Sequence, residues 1–414
     1  MEKALPISKR IPSQPTGPSR RLFAYCHEGM GIGHLRRTLT ICNRLVHTFP
    51  RLERRIATGS PYVSLFETNR QAGWVKLPTL VKRCDGRYRP AVRGLTLNKL
   101  IDTRRQLLLA AVRRFDPHLL LVDKAPVGVC GELAPTLRWV REHRPHTRII
   151  FGMRDIEDEP HATVSQWMRL DAQRMLEECY DELWVYGMRE VFDVARMYRF
   201  SPCIARKIDY MGYVCEPAGD TSRIVPADAD QILVTVGGGT DGENLIRAYL
   251  DEAARRLAGI GLRSTIIAGP DLPREAARCL RQIAGRIDSL QWIDAEHEMR
   301  HRLHQARLVV SMGGYNTLCE LVSLGRPALV VPRVTPRLEQ LMRASLWHKR
   351  GVIHMLHPDD LTPHTLADHV LDMSRDKLLP TRDGLDFNGL NRVVDRVGHL
   401  FNTTRKRHEA AVRL

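Results

Sequence analysis

The sequence LVVSMGGYNTLCELVSLGRPALVVPRVTPRLEQLMRA, residues 308–344, carries the pattern on which the fold prediction rests. Its first four residues, Leu308–Ser311, form an apolar run that predicts a buried strand, and the segment Tyr315–Leu324 predicts a helix. A second apolar run, Ala328–Val331, is followed by a second helical segment, Leu338–Lys349. Strands that alternate with helices along a chain indicate β-α-β units and a parallel sheet.

The same alternation extends over most of the chain. Before residue 215 we predict strands at Leu22–His27, Arg55–Thr58, Trp74–Leu77, His118–Val122, Arg148–Gly152, Glu182–Val185 and Lys207–Met211. The helices predicted between them are His34–Val46, Leu97–Arg114, Val164–Cys179 and Arg189–Met197. After residue 230 further strands are expected at Gln231–Val236, Ser264–Ala268, Leu290–Ile293 and Val352–Met355, with helices at Glu243–Arg256, Arg274–Ile283 and Met299–Gln305. Two α/β halves of similar size imply a cleft at the carboxyl ends of their sheets, where open α/β sheets bind ligands.

A change of composition divides the two halves. The segment CEPAGDTSRIVPADA, residues 215–229, is rich in Pro, Gly and Asp and interrupts the periodicity, which predicts a linker. We therefore expect a flexible leader at 1–20, a Rossmann-like domain at 21–215, a linker at 216–229, a second domain at 230–385, and a C-terminal helix with a basic tail at 386–414.

The composition indicates an acidic partner and argues against a membrane-spanning, secreted or nucleic-acid-binding protein. Of its 414 residues 63 are Lys or Arg and 47 are Asp or Glu, which gives a net charge of +16 and favours an acidic partner such as nucleotide phosphates or anionic lipid. No apolar run approaches the roughly 20 residues that span a bilayer, and the leader lacks the apolar segment of a secretory signal. Nine cysteines without a C-x-x-C pair fit reduced thiols, so we expect a cytoplasmic protein. Without a nucleic-acid-binding motif and with 6% aromatic residues, no nucleic-acid partner is expected.

The segment EGMGIGH, residues 28–34, lies between a predicted strand and a predicted helix. Gly31 and Gly33 let backbone N–H groups approach an anion, and the positive end of the helix adds to the attraction. In the pattern G-x-G-H-x-x-R, His34 is a candidate general base and Arg37 follows one turn later. The alternatives are that His34 only caps the turn and that Arg37 is solvated.

A second glycine loop, GGGTDG at residues 237–242, follows the predicted strand Gln231–Val236. It lacks the Lys-Ser/Thr of a Walker loop and the acidic residue that marks a dinucleotide site. We predict a phosphate-binding turn to which Thr240 adds a hydroxyl. The alternative is a glycine turn that serves only strand–helix packing.

The loop in the opening stretch carries the most chemistry. Glu320 lies three residues after Thr317, on the same face of the predicted helix, where its carboxylate can accept both hydroxyls of a ribose while the helix N-terminus holds phosphates. Arg333 and the pair Glu339 and Gln340 flank the next strand-to-helix turn and can address sugar hydroxyls. The alternative for each of these polar residues is a solvated surface position.

The pairing of an N-terminal G-x-G-H loop with a C-terminal GGxNTxxE…G-x-P…VPR…EQ block resembles the GT-B nucleotide-sugar glycosyltransferases of family 28, the MurG-like type, and a bacterial group of predicted glycosyltransferases. The resemblance implies GT-B architecture, with two Rossmann-like domains facing each other across a cleft, the acceptor on the first domain and the donor on the second. It implies a donor site built from Gly33, Gly238, Gly239, Thr240, Met299, Gly313, Gly314, Tyr315, Asn316, Thr317, Glu320, Arg333, Glu339 and Gln340. This chain departs from the family in its first loop and in Tyr315–Asn316, which replaces a smaller pair.

The resemblance further implies an inverting, metal-independent transfer of a sugar from a nucleotide-sugar, expected to be a UDP-sugar, to the hydroxyl or amine of an unidentified acceptor, without a cofactor. His34 is the first candidate base. Asp155, in the carboxylate-rich turn Arg154–Glu159, is the second, unless this turn is only a charge cluster before a helix. The alternative function is a nucleotide-sugar hydrolase, because such enzymes share the loop formed by Gly31, Gly33, His34 and Arg37. The basic cluster Lys82–Arg105 suggests peripheral contact with anionic lipid on the inner membrane face.

Overall fold

The computed structural model describes residues 19–27, 32–66, 73–82, 87–91, 93–217, 230–296, 299–375 and 384–412. Gly31, the predicted leader up to residue 18 and residues 218–229 of the predicted linker lie outside this part of the chain. Within it, helices alternate with the strands of two parallel sheets, which confirms the predicted α/β class with two parallel-sheet domains.

The first sheet has seven parallel strands in the order β3-β2-β1-β6-β7-β8-β9. Its central strands are buried along almost their whole length, because helices cover both faces of such a sheet. β1 begins at Arg20, one residue inside the predicted leader, since the Arg20 amide donates to the Arg51 carbonyl. The strands are β1 Arg20–Tyr25, β2 Leu52–Thr58, β3 Gly73–Lys76, β6 Leu119–Asp123, β7 Arg148–Arg154, β8 Glu182–Tyr186 and β9 Ile208–Tyr210.

A small antiparallel hairpin, which the sequence did not indicate, lies between β3 and the helix Leu97–Phe115. Its strands, β4 Leu80–Lys82 and β5 Tyr88–Pro90, are three residues long and too short for an alternating pattern to identify.

The second sheet has six parallel strands in the order β12-β11-β10-β13-β14-β15. Its apolar runs lie where the sequence predicts them. The strands are β10 Gln231–Thr235, β11 Arg263–Ile267, β12 Leu290–Ile293, β13 Leu308–Ser311, β14 Ala328–Val330 and β15 His354–Met355.

Fifteen helices are described around these sheets. In the first domain they are α1 Gly33–Thr48, α2 Leu97–Phe115, α3 Ala134–His143, α4 Pro160–Arg169, α5 Ala172–Cys179, α6 Val194–Met197 and α7 Pro202–Ala205. In the second they are α8 Glu243–Ala248, continued through a π turn into α9 Ala254–Ala258, then α10 Arg274–Ala284, α11 Met299–Gln305, α12 Tyr315–Ser323, α13 Glu339–His348 and α14 Pro363–Arg375. The last helix, α15 Gly389–Val412, returns to the first domain, where Arg396 pairs with Glu182 at 2.8 Å.

Two helix predictions are wrong in extent. The expected helix Val164–Cys179 is broken into α4 and α5 because Asp171 adopts a left-handed conformation with φ of 50°. The expected helix Arg189–Met197 is reduced to α6, since the Asp193 side chain accepts hydrogen bonds from Ala195 N and Arg196 N and thereby caps a later start.

A buried ion pair joins the two domains. Arg343 of α13 donates three hydrogen bonds of 2.7–3.1 Å to the carboxylate of Asp155, which follows β7. Both side chains are 0% exposed. Removing one member of such a pair leaves a buried charge without its partner. Among the described residues no helix is both long enough and apolar enough to cross a bilayer.

We expect Asp155→Ala to lower the free energy of unfolding by about 3–5 kcal/mol, because the Arg343 guanidinium would stay buried and unpaired. The measurement is thermal and urea unfolding of the full chain. Asp102→Ala is the control, since Asp102 is 61% exposed in a pair with Arg105 and should cost no more than about 1 kcal/mol. Equal losses in the two variants would contradict the structural importance of the pair.

Candidate active site

The described end of the first glycine loop, residues 32–34, meets the other two glycine loops at one cavity of about 240 Å³ between the domains. They follow β1, β10 and β13, and the carboxyl ends of these strands face the cleft, as the fold prediction requires. The cavity is lined by these predicted site residues: Gly33, His34, Arg37, Gly238, Gly239, Thr240, Met299, Gly313, Gly314, Tyr315, Asn316, Thr317, Arg333, Glu339 and Gln340. Glu320 and Asp155 do not line it, and Gly31 lies outside the described residues.

The second glycine loop is required for packing and also lines the cavity. Gly239 has a φ of 97°, and a Cβ there would lie 2.4 Å from the carbonyl oxygen of Ala268, so packing alone requires a glycine. Gly238 and Thr240 nevertheless face the cavity, where backbone N–H groups and a hydroxyl are suited to an anion.

The N-terminus of α12 opens into the same cavity. Gly313 takes a φ of 79° and packs against Val330 too closely for a side chain, which turns the backbone from strand to helix. Gly314 occupies the N-cap position without a side-chain cap, so the first N–H groups of the helix remain available to a ligand. The N-terminus of α1 at Gly33 likewise lacks a side-chain cap. Two positive helix ends therefore meet at one cavity, an arrangement suited to a diphosphate.

His34 is paired with a carboxylate that the sequence analysis missed. Its Nδ1 lies 2.9 Å from Oδ2 of Asp123, the last residue of β6. Arg37 Nη2 also lies 3.0 Å from this Nδ1. An ionised carboxylate only accepts, so in the tautomer in which Nδ1–H donates to Asp123 the lone pair of Nε2 is the basic position. The available signal was an acidic residue directly after the apolar run Leu119–Val122, at the sheet edge where ligands bind.

Nearby positive charges keep His34 neutral. Burial and the charges of Lys124 and Arg37 hold the pKa of His34 well below its usual value. Lys124 also lines the cavity, with its Nζ 2.5 Å from Glu157, and burial together with Arg154 lowers its pKa to about 7. At neutral pH the imidazole is therefore unprotonated and able to accept a proton.

Arg37 is buried, so the solvated alternative for it is wrong. Its Nε and Nη2 donate to Oδ1 of Asp123 at 3.2 and 2.5 Å, while His34 uses Oδ2. Its guanidinium also lies over the rings of Tyr186 and Tyr315, at 5.7 and 5.6 Å. Arg37 thus fixes the orientation of the carboxylate that orients His34.

Tyr315 and Asn316 line the cavity and also reach from α12 to the first domain. The Tyr315 hydroxyl donates to the carbonyl of Tyr186 at 2.9 Å and accepts from the amide of Val214 at 3.1 Å. Asn316 Nδ2 donates to the carbonyl of Gly33 at 2.9 Å. The side chains of this pair thus link the two domains next to the N-terminus of α12.

Glu320 lies next to the cavity, behind a side chain of the first domain. The Glu320 residue is 8% exposed, and Arg36 Nη2 lies 2.8 and 3.0 Å from the two oxygens of its carboxylate. Burial raises the pKa of Glu320, an effect that the charge of Arg36 opposes. The predicted ribose contact therefore needs this ion pair to open.

Arg333 and its neighbours form a network of ion pairs and hydrogen bonds at the cavity, so they are not solvated surface residues. Arg333 pairs with Glu339 at 2.8 Å and with Asp241 at 3.2 Å, and its amide donates to Oε1 of Gln340. Glu339 is buried, and its Oε2 has no hydrogen-bond partner. Burial favours the neutral acid, but Arg154 and Arg333 outweigh it and lower the pKa of Glu339. A buried, ionised oxygen at the cavity is suited to a sugar hydroxyl.

The assignment of Asp155 as an alternative base is wrong. Its carboxylate is fully buried against Arg343 and is turned away from the cavity, so no acceptor can reach it. Among the described residues no group of three or more His, Cys, Asp and Glu side chains is arranged to hold a metal ion.

The second domain matches a known family model. Residues 232–392 match the family model of the glycosyltransferase family 28 C-terminal domain. The UDP-N-acetylglucosamine--N-acetylmuramyl-(pentapeptide) pyrophosphoryl-undecaprenol N-acetylglucosamine transferase of Syntrophotalea carbinolica is 29% identical over 178 residues, 42% of this chain and 49% of that protein. The chain spans less than half the length of the curated relatives it matches.

Solved structures extend the likeness over both domains. MurG of Acinetobacter baumannii matches with a TM-score of 0.59 at 14% identity, covering 92% of this chain and 100% of that one. A putative UDP-N-acetylglucosamine 2-epimerase of Listeria monocytogenes matches with a TM-score of 0.62 at 11% identity, covering 94% and 98%. Likeness at such identities is a likeness of fold. The chain therefore has the expected GT-B fold, and residues 232–392 of its second domain match the family 28 C-terminal domain.

Proposed function

We propose that the protein is a nucleotide-sugar glycosyltransferase that moves a sugar, expected to come from a UDP-sugar, to an acceptor hydroxyl or amine. The observation that carries the proposal is that His34, paired with Asp123, and the open N-termini of α1 and α12 all line one cavity. The family 28 match of the second domain and the transferase relatives support the donor class, and a sugar of the N-acetylhexosamine type agrees with the relatives' descriptions.

The donor is proposed to lie along the second domain. Its diphosphate lies between the N-termini of α1 and α12 and against Gly238 and Thr240, with the base near Met299 and the ribose on Glu320. The transferred sugar then faces Glu339 and Gln340. The oxygen of Glu339 that has no hydrogen-bond partner accepts a hydrogen bond from a sugar hydroxyl.

The chemistry follows from these positions. The acceptor oxygen or nitrogen forms a bond to the anomeric carbon, the bond from that carbon to the diphosphate breaks, and Nε2 of His34 takes the acceptor proton. Attack from the face opposite the leaving group inverts the anomeric centre. The helix ends stabilise the growing diphosphate charge without a metal ion, and Asp123 stabilises the imidazolium that forms.

Peripheral membrane contact is a further part of the proposal. We define the basic surface as Arg89, Arg93, Leu95 and Lys99, all exposed, with Leu95 45% exposed. It adjoins the hairpin whose Tyr88 hydroxyl lies 3.4 Å from Nε2 of His27, a residue that lines the cavity. An acceptor carried by an anionic bilayer would thus meet the protein beside the site, on the inner face expected for a cytoplasmic protein.

A panel of nucleoside diphosphates should raise the melting temperature, with UDP the most effective. A ligand at 100 times its Kd adds about 2.7 kcal/mol to the stability. Glu320→Ala should reduce the UDP shift, while Glu178→Ala, which alters an exposed pair on α5, should leave it unchanged. A panel in which no nucleoside diphosphate stabilises the protein would refute the donor site.

His34→Ala should lower kcat by about 10²–10⁴-fold, since the general base is lost. In the wild type the active form is neutral His34, which is present above its pKa. Because the pKa of His34 is lowered, kcat/KM should stay constant down to about pH 6.5, the ordinary histidine pKa, and should decline only at lower pH. His47→Ala, an exposed histidine of the same helix, is the control. Release of sugar from donor alone as fast as with acceptor would instead favour the hydrolase.

Flotation with liposomes tests the basic surface. We expect recovery with anionic vesicles and not with neutral ones, because each surface Lys or Arg contributes about 1 kcal/mol near anionic lipid. Arg89→Glu combined with Arg93→Glu should abolish recovery, while Arg174→Glu, a 64% exposed residue of α5, should preserve it. Equal recovery with both kinds of vesicle would rule out this contact.

A further inference from the structure

Arg36 occupies the carboxylate that the proposed function assigns to ribose. Its side chain leaves α1 of the first domain and crosses to Glu320 on α12 of the second. One terminal nitrogen lies within hydrogen-bond distance of both carboxylate oxygens, at 2.8 and 3.0 Å. These are the two acceptors that a ribose diol needs, so Arg36 and ribose compete for the same atoms.

The competition is unavoidable because of the position of Arg36. Arg36 lines the cavity beside Thr317, whereas Glu320 does not line it. The guanidinium therefore separates the carboxylate from the space in which the donor would lie. Ribose reaches Glu320 only when Arg36 moves away.

The displaced guanidinium has one favourable destination. Arg36 lies in the first turn of α1, and helical side chains lean toward the N-terminus, which here opens into the cavity. Asn316 holds that helix end against the N-terminus of α12 through the carbonyl of Gly33. A diphosphate bound between these helix ends lies within reach of the Arg36 side chain. Its oxygens can accept the paired N–H groups of the planar guanidinium.

We propose that Arg36 is a donor-binding residue that ribose displaces from Glu320 and that then binds the donor diphosphate. The assignment rests on the proposed function. In this exchange both charged groups keep a partner. The ribose hydroxyls take the place of Arg36 and donate to the Glu320 carboxylate. The phosphate oxygens take the place of Glu320 and accept from the Arg36 guanidinium. A nucleoside alone breaks the ion pair without compensation, so nucleoside and diphosphate are recognised together.

Titration calorimetry with UDP and with uridine tests this exchange. Arg36→Ala should weaken UDP binding by at least about tenfold, because a charge-assisted contact to phosphate is lost. The same change should leave uridine binding equal or tighter, because the competitor for Glu320 is gone. Arg36→Gln should repeat the loss for UDP while its amide still donates to Glu320, which protects the fold if the alanine variant is unstable. Arg44→Ala, on the same helix but bound to Asn391, is the matched control.

The outcomes separate this proposal from the proposed function. If both Arg36 variants weaken UDP binding and uridine binding equally, Arg36 only supports Glu320. If the binding of both ligands is unchanged, Arg36 takes no part in donor binding. Either result overturns the exchange and leaves the donor site standing. A wild-type protein that binds no nucleoside diphosphate would overturn the exchange together with the donor site. In the Glu320→Ala background, Arg36→Ala should no longer improve uridine binding but should still weaken UDP binding.

Discussion

The site depends on the N-termini of α1 and α12 being held face to face. Tyr315 supplies most of this constraint: its ring lies between the guanidinium groups of Arg37 and Arg343, at 5.6 and 5.3 Å, and its hydroxyl bridges two backbone groups of the first domain. Asn316 adds the link to Gly33. The N-terminus of α12 has no side-chain cap, so its first N–H groups stay available to a ligand. Preorganised donors of this kind need no rearrangement when charge develops on a leaving group.

The same contacts set the electrostatics of the base. Asp123 divides its two oxygens between Arg37 and His34, so part of its negative charge is already compensated. Together with Lys124 and burial, this keeps the imidazole neutral and weakly basic. A donor diphosphate brings negative charge close to these cations and therefore raises the basicity of His34. The base becomes strongest when the donor is bound, the moment at which an acceptor must be deprotonated.

The sequence was sufficient for the features that depend on local pattern. Apolar runs located all thirteen predicted strands, and the glycine loops that follow β1, β10 and β13 identified the lining of the cavity. Contacts between distant residues could not be predicted in this way. The carboxylates of Asp123, Asp155 and Glu320 look alike in sequence, as single acidic residues near strand or helix ends. The partner of Asp123, Arg37, lies 86 residues away and fixes the carboxylate that contacts His34. The partner of Asp155, Arg343, lies 188 residues away and makes Asp155 a link between the domains. The partner of Glu320, Arg36, lies 284 residues away and covers the Glu320 carboxylate. Hence Asp155 was wrongly given a catalytic role, and Asp123 was overlooked.

The Tyr315–Asn316 pair, where the resembling family has smaller residues, also bears on how a donor enters. A cleft joined only by a linker can open by rotation of its domains. Here rotation would have to break the Tyr315 contacts and the fully buried pair of Asp155 and Arg343 at once. The Arg36–Glu320 pair is more exposed, with the Arg36 side chain at 24%, and a bound nucleoside diphosphate can offer new partners to both of its members. Local exchange of one arginine thus opens the ribose site while the two helix ends and His34 keep their positions.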